Sequence, residues 1–257
     1  TQANPYMEIQ VGQLDHTHLG GATVPRAGRW GVWTRKGDPE IAGDDNQPIT
    51  NITDDTGPGW YFGYTVLRID NASVIFGDMD AGGWDIMPFS STPNLGHYDE
   101  RGRNGFYIYG EYRVTATNIV ARFKMSIVRD QVRFLVTLVN TDATPHTVGL
   151  MHCASVILGL TGKPLITFVP GRGFTEAAVV FSGTDLPDYF EIYDDRRSPV
   201  FGLRNTLTLE DCTPPDRAGV GSIMTTLWGY NPVYDRDVPN SWALWYDPVL
   251  LNPLESR

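Results

Sequence analysis

The chain has 257 residues, of which 41% are hydrophobic and 19% charged, and its formal net charge is -10 at pH 7. A chain this long can bury a sizeable core without disulfides or metals. The acidic balance argues against nucleic acid as a partner, because such binding needs clustered Lys and Arg. No apolar run reaches the roughly 18 residues that a membrane-spanning helix needs.

Strand-like segments follow one another along the whole chain, and Gly, Pro, Asn or Asp separates nearly all of them. They are residues 7–14, 29–34, 60–69, 73–76, 106–115, 119–127, 131–140, 148–160, 165–169, 177–181, 200–203, 223–228 and 241–246. No amphipathic helix longer than about ten residues is predicted, although 185–193 could hold one turn. The longest irregular stretches are 37–59 and 211–221.

The middle of the chain gives the clearest pattern. Residues 119–127 and 131–140 both alternate between apolar and polar positions, which is typical of strands with one buried face. Arg129 and Asp130 lie between them and predict a tight hairpin turn. Segment 148–160 is a longer, mainly apolar run and predicts a strand buried on both faces. We therefore predict an all-β fold, a large two-sheet antiparallel sandwich with few or no helices, as a single domain over residues 1–257.

Three sequence segments in the second half of the chain resemble uncharacterised secreted bacterial β-sandwich domains and the supersandwich of galactose mutarotases. They are residues 139–150, the pair 168–174 and 181–189, and the tail 245–256. In the tail, Leu254 lies at the position where the corresponding segment of those domains has Gly. The resemblance implies a supersandwich-like fold outside the cell. It implies no activity, because fold analogy does not carry function and the histidine and carboxylate contexts of the mutarotases have no match here.

Two patterns could bind metal ions. His16 and His18 alternate along a predicted strand and could share one face, but two ligands do not complete a site, so a polar strand end is the preferred interpretation. Asp44 and Asp45 lead the Asp-rich loops, whose oxygens suit calcium. No loop has EF-hand spacing, and turn-capping Asp residues are the alternative. We expect no cofactor, with a structural calcium ion as the alternative.

A ligand site is predicted around Trp84, in a Gly-rich loop near Asp78 and Asp80. A Trp with neighbouring carboxylates could stack on a sugar ring and accept from its hydroxyls, could anchor a protein contact, or could fold back onto its own domain. His97 lies in the chemically varied stretch 96–101, which could hold an acid–base pair, although a solvated loop is preferred.

The two cysteines, Cys153 and Cys212, leave two alternatives open. A disulfide between them would close a long loop and stabilise the fold by about 4 kcal/mol. Two separate thiols are equally compatible with the sequence.

No catalytic motif is present, and G-x-S-x-G in particular is absent, so an enzyme is disfavoured without being excluded. Paired carboxylates for glycoside cleavage would have to come from different strands, with Glu111, Glu176 and Glu191 as candidates. We expect Glu111 to form a structural ion pair instead.

The leading functional hypothesis is a secreted, non-catalytic structural protein of the cell surface that self-assembles as a homo-oligomer or attaches to surface glycan. Only three Lys residues are available to protect sheet edges, and residues 1–6 could form an arm that adds a strand to a neighbouring copy. The alternative is a carbohydrate-binding module or carbohydrate-active enzyme with exposed aromatics on a sheet face. A viral capsid-type sandwich is a third hypothesis.

Overall fold

The computed structural model describes most of the chain. The described residues are 2–11, 30–36, 40, 42–50, 52–53, 60–61, 63–75, 84–85, 97–99, 104–114, 116–158, 166–194, 202–209, 211–222, 228 and 240–257. Their regular structure is almost entirely β, with single 3-10 turns at Ala42–Asp44 and Gly183–Asp185 and no α-helix in these ranges. The predicted all-β class is confirmed.

In chain order the strands are β1 Gln2–Ala3, β2 Met7–Val11, β3 Trp30–Thr34, β4 Ile52–Thr53, β5 Trp60–Tyr61, β6 Gly63–Ile69, β7 Ala72–Ile75, β8 Trp84–Asp85, β9 His97–Asp99, β10 Asn104–Val114, β11 Ile119–Val128, β12 Gln131–Asn140, β13 His146–Ser155, β14 Ile166–Val169, β15 Gly173–Thr175, β16 Val179–Ser182, β17 Tyr189–Tyr193, β18 Gly202–Thr206, β19 Arg217–Ser222 and β20 Asn240–Leu251.

The largest sheet has nine strands in the order β1-β2-β3-β6-β13-β20-β19-β16, with β7 also paired to β6. A five-stranded sheet has the order β12-β11-β10-β8, with β9 on β10, and a four-stranded sheet has the order β15-β14-β17-β18. Strands β4 and β5 form a separate pair. All pairings between described strands are antiparallel.

One hydrophobic core joins the three larger sheets. Phe123 from β11, Ile192 from β17 and Trp242 from β20 belong to the same buried cluster. The five- and four-stranded sheets thus each cover part of the nine-stranded sheet, which makes the fold sandwich-like. The sequence predicted two sheets, whereas the described residues form four. The five-stranded and four-stranded sheets are counted separately, because no strand pairing among the described residues joins them.

The central prediction of a hairpin is confirmed. β11 and β12 pair from Val128 opposite Gln131 to Ile119 opposite Asn140, with Arg129 in the turn at φ 56°. The prediction for β13 is also confirmed. Its Leu150 and Ala154 enter the main core, while Met151 and Cys153 enter a second cluster on the opposite face.

Several local predictions were wrong. Trp84 lies in a short strand instead of a loop, because it pairs with Val114 of β10. Segment 185–193 contains strand β17, since its alternating sequence fits a half-buried strand better than a helical turn. All but the last residue of strand β19 falls within the stretch 211–221, which was predicted to be irregular. Of the predicted strand 223–228, only Trp228 is described.

The N-terminal residues pair within their own chain. Ala3 of β1 lies opposite Glu8 of β2, and the side chain of Asn4 accepts hydrogen bonds from the backbone N–H of Tyr6 at 2.8 Å and of Met7 at 2.7 Å. Asn4 thereby closes the turn between the two strands, and the predicted arm is a hairpin here. Among the described residues, no helix is long and apolar enough to cross a membrane.

Candidate functional site

The outer face of the four-stranded sheet begins with the alternation of β17. Its sequence is Tyr-Phe-Glu-Ile-Tyr, and Phe190 and Ile192 are fully buried in the main core. Because successive strand residues point to opposite faces, Tyr189, Glu191 and Tyr193 lie on the outer face. A pattern that any half-buried strand needs therefore places a carboxylate between two phenols.

The strand register extends this face across all four strands. Phe168 of β14 lies opposite both Phe174 of β15 and Glu191 of β17, and Glu191 lies opposite Arg204 of β18. The four side chains thus form one row across the sheet, which we call the aromatic–arginine row. Its members come from positions up to 36 residues apart in the sequence.

The aromatic half of the row is partly open to solvent. The ring centroids of Phe168 and Phe174 are 5.1 Å apart, those of Phe174 and Tyr193 are 6.1 Å apart, and Phe174 is 43% exposed. Gly202 lies directly against the Tyr193 ring, where an added Cβ would come within 2.6 Å of a ring carbon. Glycine at this position therefore lets the Tyr193 ring lie across β18.

The polar half of the row is held by hydrogen bonds. The Glu191 carboxylate accepts from Tyr193 Oη at 2.7 Å through one oxygen, and from Arg204 Nε at 2.8 Å and Nη2 at 2.6 Å through the other. The Arg204 guanidinium lies 4.3 Å from the Tyr189 ring centroid. Charge and stacking together hold the guanidinium in one place.

These contacts fix the protonation states of the row. Burial and the hydrogen bond to Glu191 raise the pKa of Tyr193 to about 12, so the phenol stays protonated and donates. The hydrogen bond to Glu191 also raises the pKa of Arg204, which stays cationic. Both oxygens of Glu191 are engaged, so this carboxylate is not placed to act as a base. The row is chemically suited to binding and not to proton transfer.

A second polar cluster connects turns at one end of β13. His146 Nδ1 lies 2.5 Å from Asp70 Oδ2, and its Nε2 lies 3.0 Å from Asp142 Oδ2. Thr147 donates to Asp70 through both its backbone N–H and its hydroxyl. Because both ring nitrogens of His146 are hydrogen-bonded to carboxylates, neither is available to bind a substrate. The cluster links the β6–β7 turn to the β12–β13 loop.

The electrostatics of this cluster are coupled. Hydrogen bonds to Asp142 and Asp70 raise the pKa of His146, and the bond to His146 is the main cause that lowers the pKa of Asp142 to about 2. Burial acts to raise the pKa of Asp70, but the hydrogen bonds from His146 and Thr147 outweigh burial and lower it. Sequence analysis missed this cluster, since Asp70 and His146 are 76 positions apart.

A different histidine, His152, lies in the hydrophobic core. Its ring stacks on Trp30 at 5.2 Å between centroids and lies 4.9 Å from that of Phe134. Its Nδ1 shares a hydrogen bond of 2.9 Å with the Thr65 hydroxyl. Burial lowers the pKa of His152 to about 3, so the ring is neutral. It is a core residue and only 5% exposed.

Of the four predicted ligand residues, the structure describes Trp84 and His97, whose positions lie apart along strand β10. Trp84 lies opposite Val114 of β10, while His97 of β9 lies opposite Phe106. Eight residues of one strand separate these positions, or about 27 Å. Asp78 and Asp80 fall outside the described residues. The prediction at Glu111 is confirmed, since its carboxylate is 2.7 Å from Arg122 Nε on β11.

Of the predicted metal ligands, the structure describes Asp44 and Asp45 alone. His16 and His18 lie outside the described residues. Asp44 is buried in the first 3-10 turn and Asp45 follows it, and the described residues contain no group of three or more metal-ligating side chains.

The two cysteines do not form a disulfide with each other. Cys153 is buried in the second apolar cluster, whereas Cys212 is exposed.

No protein-family model matches the chain, and no curated protein sequence matches it. Fold and site together define the class as an all-β, antiparallel, sandwich-like protein with an aromatic and arginine-bearing outer sheet face.

Proposed function

We propose that this protein is a non-catalytic binding protein of the cell exterior that recognises carbohydrate through the aromatic–arginine row. The observation that carries this proposal is Phe174, a large aromatic side chain that is 43% exposed beside a preformed polar group. Sugar rings present apolar C–H faces together with hydroxyls, so a site that recognises them needs an aromatic surface and a few fixed polar groups.

The contacts within the row support recognition over structural packing. The Phe174 ring lies against Phe168 and Tyr193, outside the buried core cluster, and the residue still remains 43% exposed. The Glu191–Arg204 pair has no net charge and its geometry is set by Tyr189 and Tyr193. Preorganised polar groups lose little entropy when a ligand binds.

The direct test is a glycan array with the purified chain, followed by calorimetry on any hit. We expect Phe174→Ala to weaken binding at least tenfold, which corresponds to about 1.4 kcal/mol. Leu135→Ala is the matched control, because Leu135 is an apolar residue of similar exposure, 49%, on the five-stranded sheet. An array without hits, or unchanged affinity in the Phe174 variant, would refute the proposal.

A second function, self-assembly, is favoured by the edge of β12. The C-terminal residues cover part of this edge, because Leu138 and Arg257 exchange two backbone hydrogen bonds of 2.8 and 2.9 Å. By the period of two, the N–H and C=O groups of Val132, Phe134 and Val136 point to the same side. No other described strand pairs with them there.

This stretch of β12 lacks the usual protection of an edge. Residues 131–136 contain neither Lys nor Pro, Arg133 is their one charged residue, and Leu135 is exposed. An antiparallel strand from a second copy would extend the sheet. Val136→Pro should remove this association, since its N–H points away from β11, whereas Val136→Ala should keep it. Sedimentation velocity and electron microscopy would decide, and a chain that stays monomeric at high concentration would exclude self-assembly.

A further inference from the structure

The Arg204 guanidinium has hydrogen-bonding capacity that the fold does not use. A guanidinium carries five N–H donors. Nε–H and one Nη2–H are directed at a single oxygen of Glu191. The two N–H groups of Nη1 and the second one of Nη2 have no acceptor among the described residues, and the side chain is 59% exposed. Its outer edge is therefore available to a ligand.

This outer edge is held in a fixed orientation. Glu191, whose side chain is only 12% exposed, anchors one edge of the guanidinium. The Tyr189 ring supports its plane at 4.3 Å. Tyr193 occupies the second oxygen of Glu191, which keeps the carboxylate in place. The guanidinium is preorganised, so little conformational entropy is lost when an outside group binds it.

The chemistry of the row then specifies its ligand. The outer edge of a guanidinium presents two parallel N–H groups that match a carboxylate in bidentate geometry. The Glu191 carboxylate already accepts from Tyr193 and Arg204, so the unused N–H groups of Arg204 are the main free hydrogen-bonding groups at this end of the row. A ligand that supplies a carboxylate gains two charge-assisted hydrogen bonds, whereas a hydroxyl satisfies the fork poorly.

The length of the row sets the size of the ligand. Phe174 on β15 and Arg204 on β18 are separated by three interstrand spacings, or about 14 Å. That span exceeds one sugar ring. We infer that the row binds an acidic oligosaccharide, with a uronate carboxylate on the outer edge of Arg204 and a further sugar ring on Phe174. This inference rests on the proposed carbohydrate-binding function and names its substrate class.

The test compares trigalacturonate with the same trisaccharide after reduction of its carboxyl groups, using calorimetry at one salt concentration. We expect the acidic form to bind at least tenfold more tightly. Arg204→Gln should abolish that preference, and Phe174→Ala should weaken both forms. Arg172→Gln is the matched control, because Arg172 also lies over an aromatic ring, Phe181, and pairs with an Asp, yet is outside the row.

The outcomes separate the two proposals. If both trisaccharides bind wild type equally and Phe174→Ala weakens both, carbohydrate binding stands and the uronate inference is overturned. If Arg172→Gln loses the preference as fully as Arg204→Gln, the selectivity is general charge attraction and the inference is again overturned. If neither trisaccharide binds and the glycan array has no hits, both proposals fail. Thermal unfolding of each variant confirms that it is folded.

Discussion

Two histidines of the same strand show how environment decides the chemistry of a side chain. His146 begins β13 and lies between the carboxylates of Asp70 and Asp142. His152, six residues on, is enclosed by Trp30, Phe134 and other rings, with Thr65 as its polar partner. The pKa of His146 is raised, while that of His152 falls to about 3. Hydrogen bonds to two carboxylates favour the cation of His146, whereas desolvation by burial favours the neutral ring of His152.

The two histidines give stability opposite dependences on pH. His152 has a folded pKa below its unfolded value of 6.5, so its contribution is present above pH 6.5 and is lost as the pH falls. His146 has a raised folded pKa, so its contribution is complete below pH 6.5 and is lost as the pH rises through the folded value. Neither side chain is placed to catalyse a reaction.

The largest effect on stability should come from removing the buried His152 ring. His152→Ala removes a fully buried ring from the aromatic cluster and should lower the free energy of unfolding by about 3 kcal/mol. His146→Ala is the comparison, and its loss should be smaller because that ring lies at the rim of the fold. Urea unfolding at pH 7 measures both, and an equal or reversed order would show that the clusters do not differ as described.

The next largest effect should be the loss of stability on acidification that comes from His152. Between pH 6.5 and 4.5 the unfolded chain protonates this histidine and the folded chain does not, which costs about 1.4 kcal/mol per pH unit at most. The carboxylates that titrate in the unfolded chain do so mainly below this window. His152→Phe should flatten the stability curve there. A variant curve parallel to that of wild type would mean that His152 is not the responsible group.

The hydroxyl of Thr65 should contribute less. Thr65→Val keeps the shape but removes the partner of His152 Nδ1, and should cost about 1 kcal/mol. Thr65→Ser keeps the hydroxyl and is the matched control, so its loss should come from the missing methyl group alone. If Thr65→Val is as stable as wild type, the hydrogen bond adds nothing to stability.

The smallest effect on stability is expected from His146 under alkaline conditions. As the pH rises above 6.5, wild type should lose stability while His146→Gln, which cannot titrate, should not. The melting temperature recorded from pH 6 to 9 tests this expectation. Identical pH dependence in the two proteins would remove His146 from the alkaline response.

Local patterns predicted much of the fold but little of the site. The alternation in 119–127 and 131–140 predicted the β11–β12 hairpin, because burial of one face requires that period. The aromatic–arginine row had no such signal. Glu191 was considered only as a carboxylate for catalysis, and nothing local to it indicated that Arg204 and Phe168 would be its neighbours. Trp84 and His97 lie opposite positions of strand β10 that are about 27 Å apart, and their roles as ligand residues stay predictions.

Local sequence patterns specify the all-β class, the hairpin at Arg129 and the buried character of β13, since these depend on interactions between residues close along the chain. Tertiary structure alone decided the row on the four-stranded sheet and the contrast between His146 and His152. The reason is physical. Register between distant strands chooses which side chains meet, and the partners it supplies determine whether a histidine is charged or neutral and whether an arginine faces outward.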